Sequence, residues 1–422
     1  MSNVINQELE RLKVKKKHSA VALADEILTD RKIIYCLEDF YLYEDGRYKL
    51  TEKDQLRHWT KLMLNSQFTT TTSNEIISNI SAQGFIPQEK LDDTKYLNLK
   101  NGFFNLDTYE TIPHTPNIYS TIQLDASYNP EAKCEKWVKA LNEMLEEDQG
   151  KINLLQEFFG LCLTRDTKYD KALFLLGEGS NGKSVALYIL EKLLGGDNTS
   201  AIPLEKFGDG HYTAQLFGKL ANISIETKVK TSVYDSVFKS MTSGDLMSAD
   251  RKYRKVFKFR PFCKLLFALN TMPRVDDKTD AFFRRLLILK FNKQFKEEEQ
   301  NKNLKYQLEE ELDGIFNWSL LGLDRLRQRG YFLLTSEIEK EILLYREENN
   351  NLLLFVKDVC AIEDNLWLTK DEIYEKYKRW CEDGNCRPLS KNKFGRELPK
   401  HFPTVKDKRG ARGRYWDGIG WA

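Results

Sequence analysis

The stretch "KALFLLGEGSNGKSVALYILEKLLGG", residues 171–196, sets an apolar run, a glycine-rich turn and a helical pattern side by side. Its opening reads as a buried strand and "VALYILEKLL" as a helix with a broad apolar face. Between them Gly177, Gly182, Lys183 and Ser184 fit G-x-x-x-x-G-K-[ST], the signature of a phosphate-binding loop. Backbone N–H groups converge on a polyphosphate only where no side chain blocks the approach, so glycine is expected to be needed at Gly177, Gly179 and Gly182. The loop from Gly177 through Glu178, Gly179, Ser180, Asn181, Gly182, Lys183 and Ser184 to Val185 is the expected ATP cradle. Lys183 would neutralise the β- and γ-phosphates and Ser184 would ligate Mg2+, at the positive end of the helix that starts there.

Such a loop specifies a nucleotide and leaves its purpose open, so the residues that follow must decide. "KLANISIETK" supplies another apolar strand and ends in Glu226, where a carboxylate could polarise the attacking water or stand behind the metal. "KLLFALN" ends in Asn270, an uncharged group able to hold the lytic water; the bland alternative is a turn-forming asparagine before "TMPR". "DDKTDAFFRRLLILKF" places Arg284 and Arg285 just before a further strand. Facing a neighbour's nucleotide, the pair would stabilise transition-state charge; otherwise it is a solvated surface pair. Short apolar strands spaced by helices predict an α/β unit built on a parallel sheet.

Around this unit the chain of 422 residues has room for further domains. Three parts are expected: a mixed N-terminal domain over 1–165, the nucleotide-binding domain over 166–335 and a C-terminal domain over 348–422. The N-terminal part mixes β-like runs such as "KIIYCLEDFYLYEDGRYKL", with its DG turn, and helical stretches such as "CEKWVKALNEMLEEDQGKINLLQEFFGLCL". It carries no close aspartate pair on an apolar strand followed by a histidine, so a primase centre is not expected there. In the C-terminal part "LTKDEIYEKYKRWCEDG" opens with a capping box, Thr369 and Glu372, and keeps Ile373, Tyr377 and Trp380 on one face. "SKNKFGRELPK" would bury Phe394 and Leu398 and expose Lys391, Lys393 and Arg396. "TVKDKRGARGRYWDGIGW" reads as two strands about a tip bearing Lys408, Arg409, Arg412 and Arg414. Helix, helix and basic hairpin predict a winged helix that touches DNA.

Composition narrows the classes. The formal charge of +2 arises from 65 basic and 63 acidic side chains, so attraction to a polyanion has to be local. Seven cysteines, an odd number, argue against a disulfide framework and suit a reducing compartment. Cys381, Cys386 and His401 lack the spacing of a zinc site. Lys13, Lys15, Lys16 and Lys17 are followed by an acidic, amphipathic stretch, and no apolar run reaches membrane-spanning length. A cytoplasmic protein of a bacterial or phage-infected host, with no membrane partner, is expected.

With the loop, Glu226, Asn270 and the arginine pair in this order, the central region resembles the superfamily-three AAA+ helicases, in particular the helicase half of phage, plasmid and poxvirus-type primase-helicases. The resemblance runs over roughly 95–330, from "LNLKNGFFNLDTYETIPHTPN" onward. It implies an AAA+ core in which Lys183 and Ser184 form the Walker A pair, Glu226 is the Walker B acid, Asn270 is sensor 1, and Arg284 and Arg285 are the finger. Many relatives have adjacent acids in Walker B, whereas Glu226 sits between Ile225 and Thr227; whether it acts as base or behind the metal stays open. The resemblance also places a DNA-gripping hairpin before sensor 1. "SADRKYRKVFKFRP" fills that slot, with Lys252, Tyr253 and Arg254 at the expected tip. The function implied is an ATP-dependent, Mg2+-using DNA helicase working as a ring, expected to be a hexamer, on single- and double-stranded DNA during replication of a phage, plasmid or mobile element. A separate primase or polymerase would then be a natural partner. The rival reading is an origin-binding initiator whose ATPase assembles or remodels a complex.

Overall fold

The computed structural model describes residues 19–225, 235–251, 256–273, 275, 280–384, 386–410 and 413–422. Helix α1 (Ala20–Asp30) leads into an antiparallel sheet of β1 (Ile33–Cys36), β2 (Asp39–Glu44) and β3 (Arg47–Thr51). Asp45 and Gly46, both at positive φ, make the two-residue turn that the DG pair predicts. Helices α2 (Lys53–Leu64) and α3 (Thr70–Gln83) then close a small core on Leu23, Ile27, Leu56, Ile76 and Ile80.

A second antiparallel sheet follows, β4 (Tyr96–Leu99), β5 (Gly102–Asn105) and β6 (Thr111–Ile112), and then helices α4 (Glu135–Met144) and α5 (Gln149–Cys162). Next come β7 (Ala172–Leu176), α6 (Lys183–Leu194), β8 (Thr199–Ser200), the short α7 (Gly210–Thr213) and β9 (Ala221–Ile225). Beyond residue 234 lie α8 (Asp235–Ser243), β10 (Met247–Ala249), β11 (Phe257–Phe259), β12 (Lys264–Leu269), the short α9 (Asp280–Phe283) and β13 (Leu286–Lys290). Five of these strands form one parallel sheet in the order β13-β7-β12-β9-β8, so the first strand sits between the fifth and the fourth. This is the α/β architecture that the alternating apolar runs predict.

Strand alternation divides the sheet's side chains between two cores. Leu173, Leu175, Leu266, Ala268, Leu287 and Leu289 face one. Phe174, Leu265, Phe267, Leu286 and Ile288 face the other. The first core also contains Leu99, Phe104, Trp137, Phe158 and Phe159, so its packing continues across position 165 into α4 and α5 without a break.

Helix α10 (Leu304–Glu309) and the long α11 (Leu312–Arg329) return over this face. Here α5 and α11 touch through backbone. A Cβ on Gly160 would stand 2.4 Å from the Ser319 carbonyl oxygen, and one on Gly322 would stand 2.4 Å from that of Gln156. Beside this seam the Glu157 carboxylate, 2% exposed, accepts from Arg325 at 2.8 Å and Arg329 at 2.5 Å. The two partners offset the desolvation that a lone buried carboxylate would suffer.

Helix α12 (Ser336–Glu348) leads to the last unit: α13 (Asn351–Val359), β14 (Cys360–Ala361), β15 (Trp367–Thr369), α14 (Lys370–Asp383), α15 (Lys391–His401), β16 (Lys406–Gly410), β17 (Gly413–Asp417) and β18 (Gly420–Trp421). Strands β15, β17 and β16 form an antiparallel sheet in that order. Both legs of the Thr369–Glu372 capping box are made. Ile373, Tyr377, Phe394, Leu398 and Trp416 share one core, with Trp380 packed on its edge. Helix, helix and hairpin therefore follow one another in the last unit.

Two outcomes are expected. Gly322→Val forces α5 and α11 apart and lowers unfolding stability by about 1–3 kcal/mol, the range for overpacking a tight contact, whereas Leu321→Ala on the same helix, at a side chain 63% exposed, costs under about 0.5 kcal/mol; urea unfolding compares them. The second concerns Lys264, buried at the start of β12, whose ammonium donates to the carbonyls of Thr164 and Phe262. Burial pulls it from 10.5 down to about 8. Between those values the unfolded chain holds the extra proton, so this lysine's contribution to stability rises with pH there. Wild type is expected to gain on Lys264→Met as pH rises from 8 toward 10.5, and a flat difference contradicts this.

Candidate nucleotide-binding site

The loop at 177–183 leaves the C-terminal end of β7, a strand bonded on both sides. It is fastened to both neighbours. Gly177 N–H donates to the Leu269 carbonyl at the end of β12 (3.2 Å), and Phe295 N–H, beyond β13, donates to the Ser180 carbonyl (2.8 Å). At Gly177 a Cβ would come within 2.5 Å of the Phe291 carbonyl oxygen, and at Gly182, where φ is +90°, within 2.5 Å of Met144 Cγ and Sδ. Glycine is required at both. Gly179 differs from expectation: nothing lies within 4 Å of where its Cβ would be, so no neighbouring group of the chain demands glycine there. Ser180 takes the left-handed conformation instead, at φ +58°.

Helix α6 starts at Lys183 with Gly182 as its cap, so its first-turn amides receive no side-chain cap, and no acidic residue occupies that turn. Lys183 is 6% exposed. Its ammonium donates to the carbonyls of Gly177 (2.5 Å) and Glu178 (3.1 Å) and to Asn181 Oδ1 (3.0 Å), and burial holds its pKa below the ordinary lysine value. Asn181 also donates from Nδ2 to the Glu178 carbonyl. A buried cation satisfied by carbonyl dipoles alone, beside uncapped amides, fits the terminal phosphates of a nucleotide. Ser184, the residue expected to ligate Mg2+, follows in the first turn of the helix and is exposed. Beside the loop a cleft of about 390 Å³ is lined by Met144, Ser180, Gly182, Val185, Phe295 and Leu304. Periodicity could not reveal the Met144 contact, which depends on α4 packing across the turn.

The strand ends bring Asn270 to the same edge. Leu269 pairs with Leu176, and Ala268 with Ile225. Asn270, exposed, thus lies next to the start of the loop, and β9 ends beside it at Ile225, half exposed. Glu226 lies outside the described residues.

The arginine pair divides. Arg285 is 6% exposed and donates to Thr242 Oγ1 (3.0 Å), Ser243 Oγ (2.6 Å) and the Ala281 carbonyl (2.5 Å), with Asp170 at 3.6 Å. It is spent inside its own chain, which corrects the expectation that both arginines are offered to a neighbour. Arg284 has a side chain 63% exposed, with Asp170 at 3.8 Å. Asp170, which the sequence did not single out, is the acid that both face.

Strands β10 and β11 pair antiparallel, Met247 with Phe259 and Ala249 with Phe257, and form the base of the expected hairpin. Lys252, Tyr253 and Arg254 lie outside the described residues. Arg251, expected as part of the basic run, instead pairs with Asp39 of β2 (2.8 Å) and lies over the rings of Phe257 and Phe217. Gln88 Nε2 donates to the Lys258 carbonyl at 3.1 Å, a second tie from the N-terminal part to the hairpin base.

In the last unit Lys391, Lys393 and Arg396 are exposed on α15, as expected. Lys391 is bonded to Asp371, and Lys408 to Asp417 at 2.6 Å. Arg409 faces Arg414 across the hairpin, both exposed, and Arg412 lies outside the described residues. Cys381 is buried, and among the described residues no group of three or more His, Cys, Asp or Glu is set to hold a metal. No described helix is long and apolar enough to cross a membrane.

Comparison with known proteins agrees with this geometry. A family described as D5 N terminal like matches residues 20–146, one described as Poxvirus D5 protein-like matches 347–416, and a family of unknown function, DUF5906, matches 175–285. "Putative helicase 184R" of Invertebrate iridescent virus 6 is 26% identical over 369 residues, covering 74% of this chain and 37% of that protein. "Putative helicase 121R" of Invertebrate iridescent virus 3 is 22% identical, covering 58% and 30%. The C-terminal region of NrS-1 superposes with a TM-score of 0.56 at 14% identity, over 96% of this chain and all of that one, and so shares its fold. Together these matches support a D5-type primase-helicase family for this chain. It spans about a third of the length of the curated viral relatives it matches.

Gly182→Ala is expected to lower unfolding stability by about 2 kcal/mol, combining left-handed strain and overpacking against Met144. Adding Met144→Ala should relieve the contact and leave the strain. Denaturant unfolding of both single variants and the double completes the cycle, and an equal cost of Gly182→Ala with and without Met144→Ala would remove Met144 from the account.

Proposed function

We propose that this chain is an ATP-dependent DNA helicase that works as a ring, in the form of a hexamer, during replication of a viral or mobile element. Helicase-named relatives support the class; the motor itself is our reading. One observation carries it. Arg284 precedes β13, whose first residue pairs with the first residue of β7, whereas the loop follows the last. Five residues of strand, about 16 Å at 3.3 Å each, separate Arg284 from its own loop. An exposed guanidinium at the wrong end of the sheet for its own nucleotide supports the reading that it serves a neighbour's.

In this reading Lys183 exchanges its carbonyl partners for the β- and γ-phosphates, and the α6 amides take the remaining charge. Mg2+, held by Ser184 with Glu226 behind a water, would neutralise the phosphates. Asn270 orients the attacking water, Glu226 polarises it, and the partner subunit's Arg284 stabilises the charge that develops. Residues 260–263 join β11 to β12, the strand that precedes Asn270, so a shift at Asn270 would be passed to the base of the hairpin whose Lys252–Arg254 would grip a single strand. Because the first core runs on through α4 and α5, the motor unit is best drawn from near residue 95 to 335. A separate primase or polymerase is the natural partner, and the cytoplasm the expected site of work.

The second reading, an origin-binding initiator, is favoured by the exposed Lys393 and Arg396 on α15 with Arg409 and Arg414 on the wing. A gel shift on random and cognate duplexes with Lys393→Ala plus Arg396→Ala separates sequence reading from general grip.

Lys183→Ala and Arg284→Ala should each lower DNA-stimulated ATPase by about 10³-fold or more. Mixing the two inactive proteins should restore part of the activity, since some seams then pair an intact loop with an intact arginine. No recovery in mixtures shown to co-assemble would contradict a shared site.

A further inference from the structure

The three-stranded sheet of the last unit has two unlike faces. Leu368 of β15 is in register with Trp416 of β17, and both are buried; a Cβ on Gly395 of α15 would touch the Trp416 ring at 3.7 Å. This face carries the core and the helix expected to meet duplex DNA. Alternation sends Trp367, Tyr415 and Asp417 to the other face, with Lys406 and Lys408 beside them in register. Trp367 is 47% exposed, and its ring meets that of Tyr415 at 5.8 Å and 69°, an open corner of two aromatic surfaces. An indole in that position gains nothing for the core.

The charges around the corner are basic in excess. Strands β16 and β17 carry Lys406, Lys408, Arg409 and Arg414 against Asp407 and Asp417. Both acids are already bonded, Asp407 to Lys370 and Asp417 to Lys408, each at 2.6 Å. Alternation sets Lys406 and Lys408 on the outer face with the rings and sends Arg409 and Arg414 to the face of Trp416; Lys406 forms no ion pair among the described residues. Exposed flat rings beside the outer-face lysines of β16, Lys406 uncommitted among them, offer what an unpaired nucleic-acid strand requires: faces for its bases and charge for its phosphates. A duplex, with its bases already stacked, has no use for the rings.

We propose that the outer face of this sheet, built on Trp367 and Tyr415 with Lys406 beside them, binds single-stranded nucleic acid by base stacking, on the side of the unit opposite α15. The inference rests on the reading of this chain as a nucleic-acid motor, and adds a second strand-binding place away from the 252–254 tip. One unit would then hold duplex on α15 and an unpaired strand on its far face, the arrangement of a junction between the two.

The test uses the full chain without ATP. Affinity is measured for a fluorescein-labelled oligothymidine and for a blunt duplex of the same length. Trp367→Ala plus Tyr415→Ala should weaken oligothymidine binding about tenfold or more, since each lost stacking ring commonly costs that order, and leave duplex binding within twofold. Trp367→Phe plus Tyr415→Phe should keep most of the single-strand affinity. If the double alanine variant does not fold, the unaltered chain is photo-crosslinked to a 5-bromouracil strand and the adducts mapped by mass spectrometry; adducts on Trp367 or Tyr415 support the proposal. Oligothymidine affinity unchanged in the alanine variant, as when the rings dock a protein partner, overturns it, as does equal loss for both DNAs or adducts found elsewhere only. Such a failure leaves Lys183-dependent ATPase untouched, whereas failure of the motor reading appears in that ATPase.

Discussion

Everything in this protein is arranged around the lodging of β7 between β12 and β13. A strand bonded on both sides, with apolar side chains on both faces, cannot shift without breaking two ladders and opening two cores. Its C-terminal end is thereby fixed, and with it the loop that begins at Gly177. The same three-strand arrangement places Asn270 beside the loop and Arg284 at the far end of the sheet. These two positions, one beside the loop and one five strand residues away, are consequences of strand order rather than of local sequence.

How the cations are held separates structural from available charge. Arg285 is consumed by Thr242, Ser243 and the Ala281 carbonyl, and Arg251 by Asp39 and two phenylalanine rings. Lys183 is also buried, yet its partners are carbonyls and an amide oxygen, none of them charged. A phosphate can outcompete such partners, because a full negative charge in a partly desolvated loop binds an ammonium more strongly than a dipole does. Arg251 has the further effect of rooting the β10–β11 hairpin in the N-terminal sheet. The N-terminal unit therefore holds the base of this strand pair in place through Asp39 and Gln88.

Much of this was legible in the sequence. The loop, its strand and helix, the hairpin slot and the Thr369–Glu372 capping box are all encoded within a few residues, where spacing alone carries the constraint. What escaped was set by contacts distant in sequence. The division of Arg284 from Arg285 depends on Thr242 and Ser243 folding across them, and adjacent identical residues give no hint of it. Gly160 and Gly322 look like ordinary helical glycines until α5 and α11 are brought together. The continuity of the first core through Trp137 and Phe158 hides the break that composition suggests near 165. Trp367 fell outside the basic run that drew attention to the wing, and only strand register sets it beside Tyr415.

The central claim is that a nucleotide's terminal phosphates displace the loop carbonyls from Lys183 while a neighbouring copy supplies Arg284. The most direct measurement is a structure of the assembled chain with Mg2+, a non-hydrolysable ATP analogue and single-stranded DNA. The account predicts the Lys183 ammonium on the terminal phosphates and the partner subunit's Arg284 within hydrogen-bonding distance of the γ-phosphate. Lys183 still bound to Gly177 and Glu178, or no arginine from an adjoining copy near any occupied loop, would contradict it.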